Sequence, residues 1–237
     1  MRIERVVLAG GGTAGHVSPL LATADALRAR LPKIEIAVLG SEGGLEEDLV
    51  PARGYELTVI PKVAFPRRPN GAAVRFPGAF RAAVARTKDL LDERDAQVVI
   101  GFGGHVSTPA YLAARRRGTP FVIHEQNARP GLANKLGARM TPYVATTFSS
   151  TPLPHAQVIG LPLRREITDL DRAGMQAQAR TQFGLEPDRP TLLVTGGVAL
   201  PRRLDDERPA GLVSLDADDA AHLADDPGEH GIEAIVT

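Results

Sequence analysis

Short apolar runs alternate along most of the chain with longer segments in which apolar residues recur at helical spacing. The runs predict parallel strands at residues 3–9, 34–39, 55–60, 98–102, 120–124, 143–147 and 157–160. The longer segments predict helices at residues 16–30, 45–53, 72–93, 108–117 and 131–139. Repeated βα units predict an α/β fold, a doubly wound parallel sheet of the Rossmann-like type, with ligands at the carboxyl ends of the strands.

Composition narrows the class of protein. A hydrophobic content of 43% supports a core, and with only 4% aromatic residues that core must consist mainly of Val, Leu, Ile and Ala. Cysteine is absent, which excludes disulfide and thiolate chemistry. The first apolar run is too short for a signal peptide, and no stretch approaches the roughly 18 apolar residues of a membrane span. We therefore expect a cytosolic protein of one large domain or two small ones.

Charge is unevenly distributed although the chain is neutral overall. Residues 198–237 hold 10 acidic and 3 basic residues, which leaves 18 acidic and 25 basic residues in the preceding 197. A basic body suits an anionic ligand or an anionic membrane surface, and ordinary solvated charge explains the count equally well.

Glycine-rich or polar clusters follow three of the predicted strands. GGGTAGH follows the first strand, GFGGHVS (101–107) follows the fourth, and HEQN (124–127) ends the fifth. Glycines allow a close backbone approach, and the N–H groups at the following helix start attract anions. Because these clusters lie at the carboxyl ends of strands, we expect them to line one shared ligand cleft.

Each motif alone has another interpretation. Gly10, Gly12 and Gly15 match the G-x-G-x-x-G of dinucleotide-binding folds, but Glu42 comes later than the usual acidic residue about 20 positions on. No Gly-Lys-Ser/Thr follows to form a P-loop, and His105 and His124 lack metal-ligand spacing. His16 by itself could be a capping or packing histidine, but its place beside a phosphate-type loop favours a functional role.

Four motifs taken together resemble the MurG family of bacterial glycosyltransferases. They are GGGTAGHVSPLLATADAL, GFGGHVSTPAYLAA, HEQNARPGLANKLGA and GLPLRREI, and the resemblance runs from residue 3 to about residue 197. It implies a GT-B fold of two Rossmann-like domains and an inverting transfer. N-acetylglucosamine would pass from UDP-N-acetylglucosamine to undecaprenyl-diphospho-muramoylpentapeptide in peptidoglycan synthesis. It also implies no cofactor, no bound metal and no nucleic-acid partner.

The resemblance also implies roles for individual residues. His16 matches the candidate general base, and Glu125 is assigned with it to the catalytic centre. The implied substrate-binding positions are Thr13, Ala14, Gly15, Gly103, Gly104, His105, Gln126, Asn127 and Arg164. Three positions depart from the family pattern, since Ala14 replaces Gly, His105 replaces Tyr and Leu161 replaces Asn.

The end of the chain departs from the family. We expect an acceptor- and membrane-binding domain at 1–165, a linker helix and the first strand of a truncated donor domain at 166–197, and a divergent tail at 198–237. High charge predicts that this tail is disordered or forms a loose helix at 216–224. A shifted reading frame and a genuine replacement both explain it. Three functions therefore compete: the transferase, a non-catalytic acceptor-binding fragment and, more distantly, an NAD-dependent oxidoreductase.

A segment rich in arginine and apolar residues predicts membrane contact. Basic residues surround Val74 and two phenylalanines, and the predicted contact residues are Arg67, Arg68, Arg75, Phe76, Phe80 and Arg81. Exposed apolar groups among arginines suit an anionic bilayer, which predicts a peripheral protein on the cytoplasmic face of the bacterial membrane. Alternatively, Phe76 and Phe80 pack into the core.

Overall fold

The computed structural model describes residues 3–63, 71–187, 189, 191–194, 212–213 and 234–236. The chain divides into two compact units, Met1–Leu170 and Asp171–Thr237. The division lies close to the expected end of the first domain at residue 165. None of the described helices is long and apolar enough to cross a bilayer.

The first unit is built around a seven-stranded, entirely parallel sheet. Its strands are β1 (Arg5–Ala9), β2 (Glu35–Ser41), β3 (Glu56–Ile60), β4 (Val98–Gly101), β5 (Phe121–Glu125), β6 (Val144–Thr146) and β7 (Ala156–Val158). Their order across the sheet is β3-β2-β1-β4-β5-β6-β7. The predicted α/β fold with a doubly wound parallel sheet is confirmed.

Helices cover both faces of this sheet. They are α1 (Ala14–Arg30), α2 (Glu46–Ala52), α3 (Gly71–Glu93), α4 (Ser107–Arg117), α5 (Leu132–Gly137) and α6 (Arg165–Thr168). Alternate residues of β1 enter different cores, since Val7 packs in the cluster that contains α3 and α4 residues, whereas Leu8 packs in the cluster with Leu20 of α1. This alternation, with period two along the strand, assigns α1 and α3 to opposite faces.

The order of the strands reverses between β1 and β4, which are direct neighbours. Strands added after β1 continue on one side, and those after β4 continue on the other. Loops that leave neighbouring strands at such a point diverge to opposite faces of the sheet and leave a crevice between them. The two glycine-rich loops follow these two strands, so the topology places both at this crevice.

The second unit contains α7 (Arg172–Gln182) and a three-stranded antiparallel sheet. Its strands are β8 (Leu192–Val194), β9 (Leu212–Val213) and β10 (Ala234–Val236), in the order β10-β8-β9. The helix begins at Asp171, whose carboxylate accepts from the backbone N–H of Gly174 at 3.0 Å. The helix expected at 216–224 lies outside the described residues, and the disorder expected for 198–237 stays a prediction.

Candidate active site

The first glycine-rich loop joins β1 to α1 and presents the start of that helix to solvent. Gly12 has a φ of +87°, a conformation that favours glycine, and it turns the chain into the helix. Thr13, Ala14 and Gly15 are exposed at the helix start. The first N–H groups of a helix have no partner within it, so this end can bind an anion such as a diphosphate.

His16 lies half-buried on the first turn of α1. Its Nδ1 atom is 3.2 Å from the carbonyl oxygen of Gly11 and 2.9 Å from Oγ1 of Thr13. A carbonyl oxygen can only accept, so the bond to Gly11 requires the proton on Nδ1 and leaves the Nε2 lone pair available. Burial lowers the pKa of His16 below 6.5, although the Gly11 carbonyl and the charges of Glu125 and Glu46 oppose that shift. A neutral imidazole with a free Nε2 can serve as a general base.

The second glycine-rich loop, between β4 and α4, lies directly against the first. A Cβ atom on Gly104 would overlap the carbonyl oxygen of Gly11, and one on Gly103 would stand 3.0 Å from Nε2 of His16. Both glycines also have positive φ, at +96° and +84° for Gly103 and Gly104 respectively. Glycine is therefore required at both positions, where the loops approach each other and the imidazole.

Ser107 connects the second glycine-rich loop to the end of β1. Its buried hydroxyl oxygen accepts from the backbone N–H of Gly103 at 3.0 Å and lies 3.2 Å from the carbonyl oxygen of Ala9 at the end of β1. The backbone N–H of Phe102 also donates to that carbonyl, at 2.8 Å. The sequence pattern does not indicate this role of Ser107, because a serine at a helix start is normally interpreted as a cap.

The HEQN segment adds a third cluster at the end of β5. The side-chain amide of Gln126 donates to the carbonyl oxygen of Phe102 at 3.0 Å, which ties this segment to the second loop. Asn127 is exposed at the segment's end. The structure therefore brings together all three clusters that the sequence places after strands.

Glu125 is buried beneath this segment. One carboxylate oxygen accepts from the backbone N–H and side-chain amide of Asn127, at 2.9 and 3.0 Å. The other accepts from the N–H of Gly131 and the amide of Asn134, each at 3.0 Å. With only 1% of Glu125 exposed and both oxygens bonded, the geometry favours a positioning role over direct proton transfer.

The GLPLR motif is held to the same edge of the sheet by His124. Its Nε2 atom is 2.9 Å from the carbonyl oxygen of Gly160. Arg164 lies farther along this motif, exposed at the start of α6, and His105 is exposed on the second loop. Both are accessible to a ligand at the carboxyl edge.

Glu46 is a further residue of the site that the sequence pattern does not indicate. It lies in the first turn of α2 and is completely buried, and its carboxylate accepts from the backbone N–H of Gly12 at 2.9 Å. In the sequence, an acid in a first helical turn indicates only a favourable interaction with the helix dipole.

The described residues hold no group of metal ligands at these clusters, and one cavity lies elsewhere. No three His, Cys, Asp or Glu side chains among the described residues are grouped to hold a metal ion. The cavity, of about 330 Å³, lies near the amino ends of the strands, where it is lined by Arg5, Glu35, Glu56 and Arg94 among others.

The predicted membrane segment is partly described. Arg67 and Arg68 lie outside the described residues, whereas Arg75 and Arg81 are exposed on α3. The Phe76 and Phe80 rings stack with their centroids 5.4 Å apart; both are half-buried, and Phe80 packs against the core. Val74 is 82% exposed, the highest value among the large apolar side chains that the structure describes.

The chain is similar in sequence to known proteins over most of its length. A relative from Leifsonia xyli subsp. xyli is 56% identical over 209 residues, which cover 88% of this chain and 58% of that protein. One from Nocardioides sp. is 53% identical over 227 residues, covering 96% of this chain and 62% of the relative. Both are named UDP-N-acetylglucosamine--N-acetylmuramyl-(pentapeptide) pyrophosphoryl-undecaprenol N-acetylglucosamine transferase. The chain thus spans little more than half the length of these relatives.

The Nocardioides match spans 227 of the 237 residues and so extends beyond residue 197, where the recognisable motifs end. The divergence expected for residues 198–237 stays a prediction.

Solved structures agree with the fold. The crystal structure of Acinetobacter baumannii MurG superimposes with a TM-score of 0.59 at 28% identity, over 74% of this chain and 49% of that one. A UDP-GlcNAc 2-epimerase from Neisseria meningitidis, at 12% identity and a TM-score of 0.53 over 79% of this chain and 56% of its own, shares the fold alone. The profile described as the glycosyltransferase family 28 N-terminal domain matches residues 6–146. Since that match covers more than half of the chain, including both glycine-rich loops and the end of β5, the chain belongs to glycosyltransferase family 28.

Proposed function

We propose that this chain provides the acceptor side of an inverting transferase in peptidoglycan synthesis. The donor would be UDP-N-acetylglucosamine and the acceptor an undecaprenyl-diphospho-muramoylpentapeptide, as the names of the relatives suggest. The observation that carries the proposal is the position of His16, which places an imidazole base between two loops suited to a diphosphate.

In this mechanism His16 removes the proton from the acceptor hydroxyl through Nε2. The hydroxyl oxygen then forms a bond to the anomeric carbon of the donor sugar, while the bond from that carbon to UDP breaks. UDP leaves with the bonding electron pair, and the anomeric configuration inverts. The N–H groups at the start of α1 would stabilise a diphosphate beside the base.

The remaining predicted residues would bind substrates around this centre. Thr13, Ala14 and Gly15 surround the open helix end, and Asn127 and Arg164 are exposed where a donor could reach them. Glu125 would act indirectly, by holding the segment that contains Asn127.

We expect no useful turnover from the 237-residue chain alone. In this type of fold the second domain grips most of the donor, and correct positioning of the reactants contributes about 7–11 kcal/mol to such a reaction. Purified protein should melt cooperatively but release no UDP from UDP-N-acetylglucosamine and a soluble acceptor analogue, beyond a His16→Ala control. Release at about 1 per second or faster would contradict this expectation.

The role of His16 is tested by fusing the first unit to the donor domain of the Leifsonia relative. His16→Ala should lower turnover of the fusion roughly 10²–10⁴-fold, the usual contribution of a general base. His155→Ala, which changes an exposed histidine in the same unit, is the matched control. Turnover retained by His16→Ala would remove the imidazole from this role.

A second candidate function is binding of the lipid-linked acceptor without turnover. It requires only the first unit, because both glycine-rich loops and His16 belong to it. Acceptor binding by the isolated chain, measured by titration and without UDP release, would favour it. A titration with a nicotinamide dinucleotide tests the oxidoreductase alternative separately.

We also propose that the start of α3 contacts the cytoplasmic face of an anionic membrane. The exposed Val74 beside Arg75 and Arg81 supports this, since each basic residue near such a surface contributes about 1 kcal/mol. Co-sedimentation with anionic vesicles should weaken in high salt and with Val74→Asp, but not with Val158→Asp, which changes an exposed valine on β7. Equal binding to neutral vesicles would count against the proposal.

A further inference from the structure

Glu46 forms a buried anchor beneath the first glycine-rich loop. One carboxylate oxygen accepts from the backbone N–H of Gly12 at 2.9 Å, and the other accepts from the N–H and hydroxyl of Ser41 at 2.8 and 3.0 Å. The side chain is 0% exposed. A single buried carboxylate thus connects the end of β2 to the loop that follows β1.

The surrounding chain is shaped to admit this carboxylate. A Cβ atom on Gly11 or on Gly44 would overlap it, and one on Gly40 would collide with the Glu46 side chain. Burial opposes the charged form of Glu46, but the N–H groups of Gly12 and Ser41 hold its pKa below the usual value. The carboxylate is therefore ionised at neutral pH, and its bonds to the two N–H groups are charge-assisted.

The anchor lies one residue from the carbonyl group that contacts His16. Gly12, whose N–H binds Glu46, follows Gly11, whose carbonyl oxygen lies 3.2 Å from Nδ1 of His16. The peptide unit between these two glycines contains both groups, since the carbonyl of Gly11 and the N–H of Gly12 belong to the same planar amide. Fixing one end of this amide fixes the direction of the other.

We propose that Glu46 is a positioning residue, which orients the Gly11–Gly12 peptide so that His16 is held with its proton on Nδ1 and its lone pair on Nε2. Glu46 acts through the peptide and does not itself touch substrate. The proposal rests on the proposed role of His16 for its functional meaning. The tautomer itself is measurable in this chain without any turnover, so failure of the anchor is distinguishable from failure of the transferase proposal.

The first measurement uses the unmodified chain. Amide exchange should be slower at Gly12, which binds the buried Glu46, than at Gly43, whose N–H donates to the exposed Glu47 at 3.1 Å. Exchange at Gly12 as fast as at Gly43 would overturn the proposal without any variant, and therefore independently of how the variants fold.

The second measurement compares Glu46→Ala with Glu47→Ala by the imidazole nitrogen shifts of His16. Alanine removes both oxygens that accept from Gly12 and Ser41, whereas glutamine would keep one oxygen that can still accept from Gly12. We expect Glu46→Ala to shift His16 from the Nδ1–H form toward a mixture of the two tautomers. Glu47→Ala, in the same helical turn, should leave His16 unchanged.

A folded Glu46→Ala protein that keeps the wild-type tautomer of His16 would refute the proposal, because a purely structural role predicts lower stability with the same tautomer. Assignment of the signal comes from its loss in His16→Ala.

Discussion

Replacing Glu125 with glutamine tests whether this residue positions the HEQN segment or transfers protons. The carboxylate accepts four hydrogen bonds, from Asn127 twice and from Gly131 and Asn134 once each, at 2.9–3.0 Å. Glutamine preserves the size and shape of the side chain. Its amide nitrogen, however, is a donor. It would face two N–H donors at a place where the carboxylate oxygen accepts from them.

The loss in free energy of unfolding depends on which carboxylate oxygen the NH₂ group replaces, because each oxygen accepts two hydrogen bonds. The Asn127 side is the easier one to give up, because Asn127 is exposed and its side-chain amide can turn its oxygen toward the new NH₂ group. The other side holds Asn134, which is 1% exposed, so its amide cannot turn to water. Hydrogen bonds to charged groups contribute about 1.5–3 kcal/mol each, and partial recovery at Asn127 gives an expected loss of about 3 kcal/mol.

Urea unfolding followed by circular dichroism measures this loss. For a chain of this size, about 3 kcal/mol corresponds to a decrease of roughly 6–12 °C in Tm. Glu42→Gln is the matched control, since Glu42 directly follows β2 but is exposed. A Glu125→Gln protein within about 0.5 kcal/mol of the wild type would refute the reasoning, since that is the range of ordinary surface substitutions. If the donor-domain fusion then lost turnover, the catalytic assignment would be favoured.

Three more predictions concern the same edge of the sheet. Gly103→Ala should perturb the imidazole signals of His16 and lower the free energy of unfolding by about 1–3 kcal/mol. Its control is Gly118→Ala, at a φ of +78° and with no atom within 4 Å of the added Cβ, which should introduce backbone strain but leave His16 unchanged. Tyr111→Phe should cost about 1–3 kcal/mol in urea unfolding, because it removes the 2.7 Å bond to the buried Asn134 oxygen. Because burial lowers the pKa of His16, the unfolded state takes up a proton first as pH falls below 6.5; stability should therefore decrease more steeply there in the wild type than in His16→Gln.

The sequence predicts the order and type of the elements in the first unit well, because apolar periodicity reports burial directly. The helix predicted at 16–30 is observed at Ala14–Arg30, and its apolar residues Leu20, Leu21 and Ala24 are buried. The predicted ends of the strands differ from the observed ones by at most two residues; β2, for example, extends to Ser41 and not only to residue 39. Polar and glycine residues at the end of this strand conceal its continuation in the sequence.

The candidate site is less predictable, because its supports come from distant parts of the chain. Glu46 binds Gly12 across 34 positions, and Ser107 contacts Ala9 across 98. In the sequence, a glutamate or a serine in the first turn of a helix is common and does not indicate a role in supporting a site. The sequence predicts Glu125 as a site residue, but the four hydrogen bonds of its carboxylate depend on the path of the chain through residue 134, which strand and helix patterns do not specify.

The contacts among the three clusters also affect how the site reaches a reactive geometry. Gln126 bonds to Phe102, Ser107 contacts Ala9, and the chain at Gly104 packs on Gly11, so the three clusters brace one another within a single unit. Groups that are held by such mutual contacts need little further ordering when a ligand binds, which reduces the entropy lost on binding. We therefore expect the orientation of His16 to be set before any donor arrives. In the proposed transfer, the conformational adjustment that brings the donor to the base would then fall to the donor domain.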